Sequence, residues 1–121
     1  MRSLFALAFL GVFIMSNTVY AEEALNCNIG PAHKSIGETD WLVYSCGNET
    51  TLVFVSDKGS AAFPFVFTMM VQEDLLLTTG QGNGSKEATA KTYEVLKKYT
   101  LQELASLIEE TKKVRETDQS P

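Results

Sequence analysis

The stretch WLVYSCGNETTLVFVS, residues 41–56, has the pattern of two strands joined by a turn. Its two halves, Trp41–Cys46 and Thr51–Ser56, are rich in β-branched and aromatic residues, which favour strands. The sequence GNE between them is typical of a turn. Two such runs separated by a few turn-forming residues indicate a β-hairpin. We therefore predict that the regular structure begins with two antiparallel strands.

Two further strands are predicted after the turn sequence DKGS at 57–60. Side chains in a strand alternate in direction, so the run Ala62–Gln72 has two faces. One face holds Phe63, Phe65, Phe67, Met69 and Val71, and the other holds Val66, Thr68 and Met70. Pro64 has no N–H to donate and belongs at the strand start or on an edge. After a turn at Glu73-Asp74, Leu75–Thr79 is the fourth strand.

Beyond residue 84 the apolar pattern takes the period of a helix. Ser85 can cap a first helix, whose inner stripe is expected to contain Ala88, Thr92, Val95, Leu96 and Tyr99. The sequence TLQE at 100–103 is a capping box that opens a second helix. The second helix is expected to direct toward the core Leu101, Leu104, Ala105, Leu107 and Ile108.

These elements predict one domain over residues 22–115. Residues 22–40 contain Gly30-Pro31 and Gly37 without a steady period, so we interpret them as an arm with turns. Residues 116–121 are expected to be a flexible tail. The predicted fold is α+β: a four-stranded antiparallel β-meander followed by two C-terminal helices packed on one face, with one disulfide.

Residues 1–21 match the three-part pattern of a secretory signal peptide. Arg2 precedes the uncharged run Leu4–Met15 (LFALAFLGVFIM), and Val19 and Ala21 suit the narrow pocket of a signal peptidase. The alternative, a membrane anchor, needs roughly 20 apolar residues to cross about 30 Å of hydrocarbon, and this run is shorter. We predict cleavage before Glu22, export to the periplasm or the extracellular space, and no membrane insertion after cleavage.

The two cysteines are predicted to pair, because exported proteins meet an oxidising environment. A bond between Cys27 and Cys46 would close a loop of about 20 residues and stabilise the fold by about 3 kcal/mol in the chain-entropy model. The alternative is two free buried thiols. Their spacing is not that of a redox or zinc motif, and His33 is the only histidine, so we predict no metal and no cofactor.

The charge balance limits the kinds of partner. The chain carries 10 basic and 15 acidic residues, a net charge of −5. Removal of residues 1–21 takes away Arg2 and no acidic residue, which brings the net charge to about −6. Nucleic acids and anionic membranes bind basic surfaces, so both are disfavoured. An acidic domain of this size fits a cationic protein partner, although acidity also serves solubility.

One glycine-rich segment is a candidate ligand loop. Gly80, Gly82, Gly84, Ser85 and Lys86 join the last predicted strand to the first helix, where exposed N–H groups can hold a phosphate, sulfate or carboxylate. The glycine spacing matches neither a P-loop nor the dinucleotide fingerprint. The alternative interpretation is a flexible connection without a ligand.

No pattern in the sequence indicates catalysis. A catalytic His33 would need a nucleophile and an orienting group beside it, and no nucleophile motif is present. The paired acids at 22–23, 73–74 and 109–110 are neighbours in sequence, so their side chains point in different directions and do not form a glycosidase pair. We predict no catalytic residue and no enzyme activity, with an undetected hydrolase as the alternative.

Val66 and Met70 form a candidate partner patch. The third predicted strand is apolar on both faces, and the helices can cover only one of them. Either the N-terminal arm covers the other face, or Val66 and Met70 contact a partner. Asn48 and Asn83 each begin an N-glycosylation triplet in a predicted loop, which matters only in a eukaryotic source.

The sequence YSCG at 44–47, followed by the strand Thr51–Ser56, resembles the opening hairpin of small periplasmic lysozyme inhibitors. The resemblance covers about a tenth of the chain and is generic disulfide-hairpin chemistry. Those inhibitors that are pure β-barrels lack two C-terminal helices, and no functional residue is carried over. Size, charge and the absence of catalytic motifs lead us to expect an exported, non-enzymatic binding protein. An inhibitor or immunity-type partner of an envelope hydrolase is one form, and a small-ligand or anion binder is the alternative.

Overall fold

The computed structural model describes residues 26–118, with side chains described as far as residue 114. The predicted signal peptide and the last three residues of the predicted tail lie outside the described residues. The fold is α+β, with one open antiparallel sheet in the order β1-β2-β3-β4-β5 and two C-terminal helices. The strands are β1 (Ile29–Ile36), β2 (Thr39–Ser45), β3 (Thr51–Ser56), β4 (Phe65–Gln72) and β5 (Leu75–Gly82), and the helices are α1 (Lys86–Leu96) and α2 (Leu101–Asp118).

The sheet has five strands, so the prediction of four was wrong. The additional strand is β1, which lies in the segment that we predicted to be an arm with turns. The register between β1 and β2 shifts between Ile29 and Ala32, and this irregularity holds Gly30-Pro31. Gly37 and Glu38, both with positive φ, form the tight turn into β2. An edge strand tolerates Pro and an irregular register, which concealed the period-two pattern.

Both helices pack on one face of the sheet, as predicted. The buried core between the layers contains, from the sheet, Ala32, Ile36, Trp41, Val43, Leu52, Phe54, Phe67 and Met69, and from the helices Leu96, Leu104, Leu107 and Ile108. α2 packs chiefly along β1 and β2. Tyr93 of α1 stacks on Phe67 of β4, with ring centroids 6.3 Å apart.

Part of the predicted helix stripes was wrong. Val95 and Leu101 are 41% and 43% exposed, and Ala105 is exposed too. Thr89 and Thr111 are buried instead. Each helix turns toward the sheet the residues that lie three, four and seven positions apart, and threonines occupy some of these positions because their hydroxyls bond to backbone carbonyls within the helix.

The helix starts follow the sequence prediction. Ser85 Oγ accepts a 3.2 Å hydrogen bond from the N–H of Ala88. In the capping box, the N–H of Thr100 donates to Glu103 Oε1 at 2.9 Å, and the N–H of Glu103 donates to Thr100 Oγ1 at 3.1 Å. α2 continues to Asp118, so the first three residues of the predicted tail are helical.

The predicted disulfide between Cys27 and Cys46 is present. It joins the segment before β1 to the end of β2. The N–H of Gly47 donates to the carbonyl oxygen of Asn26 at 2.9 Å beside it. The bond therefore fixes the edge strand β1 to its only neighbour within the sheet, where the register irregularity leaves fewer ladder hydrogen bonds.

Candidate functional site

The glycine-rich segment is divided between a strand and a helix cap. β5 extends through Gly82, three residues beyond the predicted strand end, so Gly80 and Gly82 belong to a strand. The N–H groups of Asn83 and Gly84 both donate to the carbonyl oxygen of Pro64, at 2.9 and 3.1 Å. The N–H of Ser85 donates to the carbonyl oxygen of Ala61 at 3.0 Å. The N–H groups of residues 83 to 85 are thus bonded to the protein and are not available to an anion.

Close packing explains why glycines occupy this segment. A Cβ added at Gly82 would overlap the carbonyl oxygen of Pro64, and one at Gly84 would overlap that of Ala62. A Cβ at Gly80 would lie 2.7 Å from the ring of Phe65. Lys86 is exposed at the first position of α1. The small-ligand alternative therefore gains no supporting contact from these residues.

The face of the sheet turned away from both helices, which we call the open face, is apolar across its three central strands. Its half-buried side chains are Leu42, Tyr44, Val53, Val55, Val66, Thr68 and Met70. The register aligns them in rows across the strands, because Leu42 is opposite Val55 and Val55 is opposite Val66. No helix or strand within residues 26–118 packs on this face, since both helices contact the other one.

Both residues of the predicted partner patch, Val66 and Met70, lie on the open face. Met70 is opposite Thr51 on one side and Leu77 on the other. The alternative interpretation, in which the N-terminal arm covers this face, is wrong for the described residues. Instead, β1 extends the sheet sideways by pairing with β2. The patch then continues outward onto β5, where Leu75 and Leu77 are 71% and 43% exposed.

Acidic side chains flank the open face at both ends. At one end, Asp40 and Asp57 line a shallow depression together with His33, Lys34, Ser35 and Trp41. The Lys34 ammonium is paired with Glu110 of α2 on the helix side. At the other end, the exposed turn between β4 and β5 consists of Glu73-Asp74. The strand positions that face this side contain no Lys or Arg in β1 to β5, and Lys58 follows Asp57 in an exposed turn. The surface therefore combines an apolar centre with an acidic border.

The depression lined by Asp40 and Asp57 brings together residue types used in hydrolases, but it does not orient them for catalysis. Ser35 is opposite Asp40 in the β1–β2 register, and His33 is two residues before Ser35 on the same face. No side-chain hydrogen bond joins these three groups to one another. Nucleophilic catalysis needs a base within hydrogen-bond reach of the nucleophile, with a third group holding the base. These three side chains do not form such a hydrogen-bonded series.

Neither a metal cluster nor a membrane-spanning helix is present in the part of the chain that the structure describes. Among residues 26–118, no three His, Cys, Asp or Glu side chains are grouped so that they would hold a metal ion. Within that range, neither helix has the length and the apolar content needed to cross a bilayer.

One ion-pair cluster on the helix side shifts the pKa values of its own groups. Lys112 Nζ lies 2.8 Å from Glu49 Oε1 and 3.3 Å from Glu109 Oε2. The hydrogen bond from Lys112 lowers the pKa of the Glu49 carboxyl, and the same bond raises the pKa of the Lys112 ammonium. This pair joins the β2–β3 turn to α2 and takes no part in the open face.

Most of the open face was not predicted from the sequence. Two apolar faces were predicted only for the strand containing Val66 and Met70. The runs LVY at 42–44 and VFV at 53–55 carry the same information, because an apolar run without alternation indicates a strand with two apolar faces. Asp40 and Asp57 were missed because they come together only through the pairing of β2 with β3.

The comparisons with known proteins add no relative. No family model matches the chain, and neither a curated protein nor a solved structure matches it.

Proposed function

We propose that this chain is an exported, non-enzymatic protein that binds another protein in the periplasm or the extracellular space through its open face. The specific form that we propose is an inhibitor or immunity-type partner of an envelope hydrolase with a basic surface. The observation that carries the proposal is the open face itself, which is apolar in three strands, bordered by carboxylates and free of contact with either helix.

The apolar centre supports binding to a protein. An antiparallel sheet with one solvated face normally alternates apolar inward and polar outward residues. Here the outward positions of the central strands are apolar, and apolar side chains that face water do not stabilise the isolated domain. These positions include Leu42, Val53, Val55 and Val66. Contiguous exposed apolar surface bordered by polar groups is typical of interaction sites. The half-buried Tyr44 and Met70 add side-chain types that are enriched in protein interfaces.

The charges support a basic partner. Asp40 and Asp57 at one end, with Glu73-Asp74 at the other, would face cationic groups on a molecule lying across the sheet. Complementary charge raises the association rate and selects among partners more than it adds affinity. The chain as a whole is acidic, with a net charge of −5, so its field attracts the same partners at long range.

The test uses purified envelope and secreted hydrolases of the source cells, chosen for a basic isoelectric point. Each is assayed for inhibition and for binding at low and at moderate salt. We expect at least one to bind with an affinity that falls as salt rises, and to lose activity. Neither binding nor inhibition across such a panel would reject the hydrolase form of the proposal.

Matched variants locate the surface. Val66→Lys places a charge in the apolar centre, and we expect affinity to fall at least about tenfold, as for a central interface residue. Asp40→Asn with Asp57→Asn removes two carboxylates from the open face, and we expect slower association. The control, Glu94→Gln with Glu109→Gln, removes the same charge from exposed helix positions. Equal loss of affinity in the control pair would show that only net charge matters.

A further inference from the structure

The outer edge of β5 carries a regular row of backbone groups for which the described residues provide no partner. β4 and β5 are joined by the two-residue turn Glu73-Asp74, whose closing pair is Gln72 and Leu75. The closing pair of such a hairpin is hydrogen-bonded, and bonded and non-bonded pairs alternate along the strands. Leu76, Thr78 and Gly80 therefore direct their N–H and C=O groups away from β4. No other strand of the described residues pairs with this edge.

The two edges of the sheet are treated differently. The edge strand β1 contains Pro31, an irregular register and the charged Lys34, and α2 packs along it. These are the devices by which proteins prevent unwanted strand pairing. β5, with the sequence LLLTTGQG, has no charge and no proline, and its register with β4 is regular from Leu75 to Gly82. The chain protects one edge and leaves the other competent to pair.

We propose that β5 pairs antiparallel with β5 of a second copy of this chain, which joins two five-stranded sheets into one of ten strands. A two-fold axis at Thr78 would set Thr78 opposite its counterpart and Leu76 opposite Gly80 of the other copy. Three bonded pairs would form about six hydrogen bonds. The strand carries no charge, so self-pairing brings no like charges together along it.

The position of the acidic groups favours a second copy over a charged partner at this edge. In this register, the turn Glu73-Asp74 of each copy lies at an end of the joint, away from the two-fold axis. The exposed Leu75 and Leu77 lie on the open face beside the joint, where side chains of the paired strand would cover them. Pairing therefore buries the most exposed apolar residues of this edge without burying a carboxylate.

The dimensions of the open face point to the same arrangement. Five strands spaced by about 4.8 Å, each about 20 Å long, give one copy an open face of roughly 500 Å². A standard interface takes about 800 Å² from each partner. Two copies joined edge to edge offer about twice the area of one as a continuous surface. The inference goes beyond the proposed function, because it concerns the edge of the sheet and not the occupant of its face.

The test is the oligomeric state of the exported, disulfide-bonded protein, measured by sedimentation over about three decades of concentration, since mass action favours the dimer as concentration rises. We expect the wild type to reach twice the monomer mass. Thr78→Pro removes the N–H at the two-fold axis, which points away from β4, and should leave a folded monomer. Thr78→Ala keeps that N–H and should dimerise. A wild type that stays monomeric, or a Thr78→Pro variant that dimerises equally, would overturn the proposal.

Hydrogen exchange on the wild type keeps the test valid if Thr78→Pro does not fold. The amides of Leu76, Thr78 and Gly80 should exchange more slowly as concentration rises, while the amides of Leu77 and Thr79, which bond to β4, should change less. Dimerisation without this alternating protection would also overturn the proposal. The proposed function and this inference can fail separately. A protein that dimerises but binds no hydrolase would contradict only the proposed function, and a protein that binds a hydrolase as a monomer would contradict only the self-pairing. The Asp40 and Asp57 variants leave β5 intact and should still dimerise.

Discussion

The indole Nε1–H of Trp41, in β2, donates a 3.2 Å hydrogen bond to Thr92 Oγ1, in α1. Both side chains are buried. The same hydroxyl lies 3.0 Å from the carbonyl oxygen of Ile36 at the end of β1 and 3.2 Å from that of Ala88. One buried threonine therefore links two strands to the helix layer, and it satisfies polar groups that no water reaches.

Replacing Thr92 tests this link. Thr92→Val keeps the shape but leaves the indole N–H of Trp41 without an acceptor, so we expect a loss of about 1–3 kcal/mol in the free energy of unfolding. Thr92→Ser keeps the hydroxyl and should lose less, about 1 kcal/mol for the methyl group. Urea unfolding followed by the fluorescence of the single tryptophan measures both. A valine variant more stable than the serine variant would contradict the assignment.

A second buried pair joins the same layers. The hydroxyls of Ser45 in β2 and Thr111 in α2 lie 2.7 Å apart, and Thr111 Oγ1 donates to the carbonyl oxygen of Ile108 at 2.6 Å. Ser45 is then the donor to Thr111. We expect Thr111→Val to leave the Ser45 hydroxyl without a hydrogen-bond acceptor and to lower the free energy of unfolding by about 1–3 kcal/mol. In the double variant with Ser45→Ala, the loss should be smaller than the sum of the single losses by about 1 kcal/mol. Strict additivity in the unfolding free energies would contradict a direct bond.

The β4–β5 turn holds two residues in an unfavourable backbone conformation. Glu73 and Asp74 have φ of 52° and 69°, values that suit Asn and Gly at the two positions of this turn. Glu73→Asn with Asp74→Gly should stabilise the protein by about 0.5–1 kcal/mol, measured by thermal unfolding.

Gly37 provides the opposite comparison. Its φ is 61°, and a Cβ there would lie 2.6 Å from the backbone nitrogen of Thr92. Gly37→Ala should therefore destabilise the protein, whereas the substitutions at residues 73 and 74 should not. An unchanged or lowered melting temperature in the variant Glu73→Asn with Asp74→Gly would show that the β4–β5 turn is not strained.

Tyr99 makes stability depend on pH in alkaline solution. Burial raises the pKa of the Tyr99 phenol above its ordinary value of 10.0, and the carboxylates of Glu103 and Glu110 raise it further. The folded state thus binds this proton more tightly than the unfolded state. The contribution of the Tyr99 phenol to the free energy of unfolding is fully present below about pH 10. It is lost as pH rises through the higher pKa that the phenol has in the folded state. Tyr99→Phe should reduce the fall in unfolding free energy above pH 10, and an identical fall in both proteins would refute this role.

Export and the disulfide are tested together. When the protein is expressed with its own leader, the recovered chain should begin at Glu22 and show no reactive thiol when denatured without reductant. Cys27→Ser with Cys46→Ser should lower the free energy of unfolding by about 3 kcal/mol, the value for a loop of this length. A chain that begins at Met1, or two titratable thiols, would contradict the signal peptide or the bond respectively.

Local patterns were sufficient for part of the fold. The hairpin of β2 and β3, both helix caps and the disulfide depend on residues that are close in sequence or, for Cys27 and Cys46, on the only available pairing. The number of strands was not predictable in the same way. Gly30-Pro31 in β1 has the composition of a turn, and only pairing with β2 makes this segment a strand. Likewise, Gly80 and Gly82 have the composition of a loop, and only pairing with β4 makes them part of a strand.

Elements with a local cause were predictable from the sequence, because the period of the apolar residues, the capping side chains and the turn-forming residues indicate them directly. The choice of the sheet face that the helices cover depends on tertiary packing. That choice leaves Val66 and Met70 on the open face, brings Asp40 beside Asp57, and makes β5 an edge. These relationships join residues far apart along the chain, and they depend on which pairs of surfaces bury the most apolar area together, a quantity that no local pattern contains.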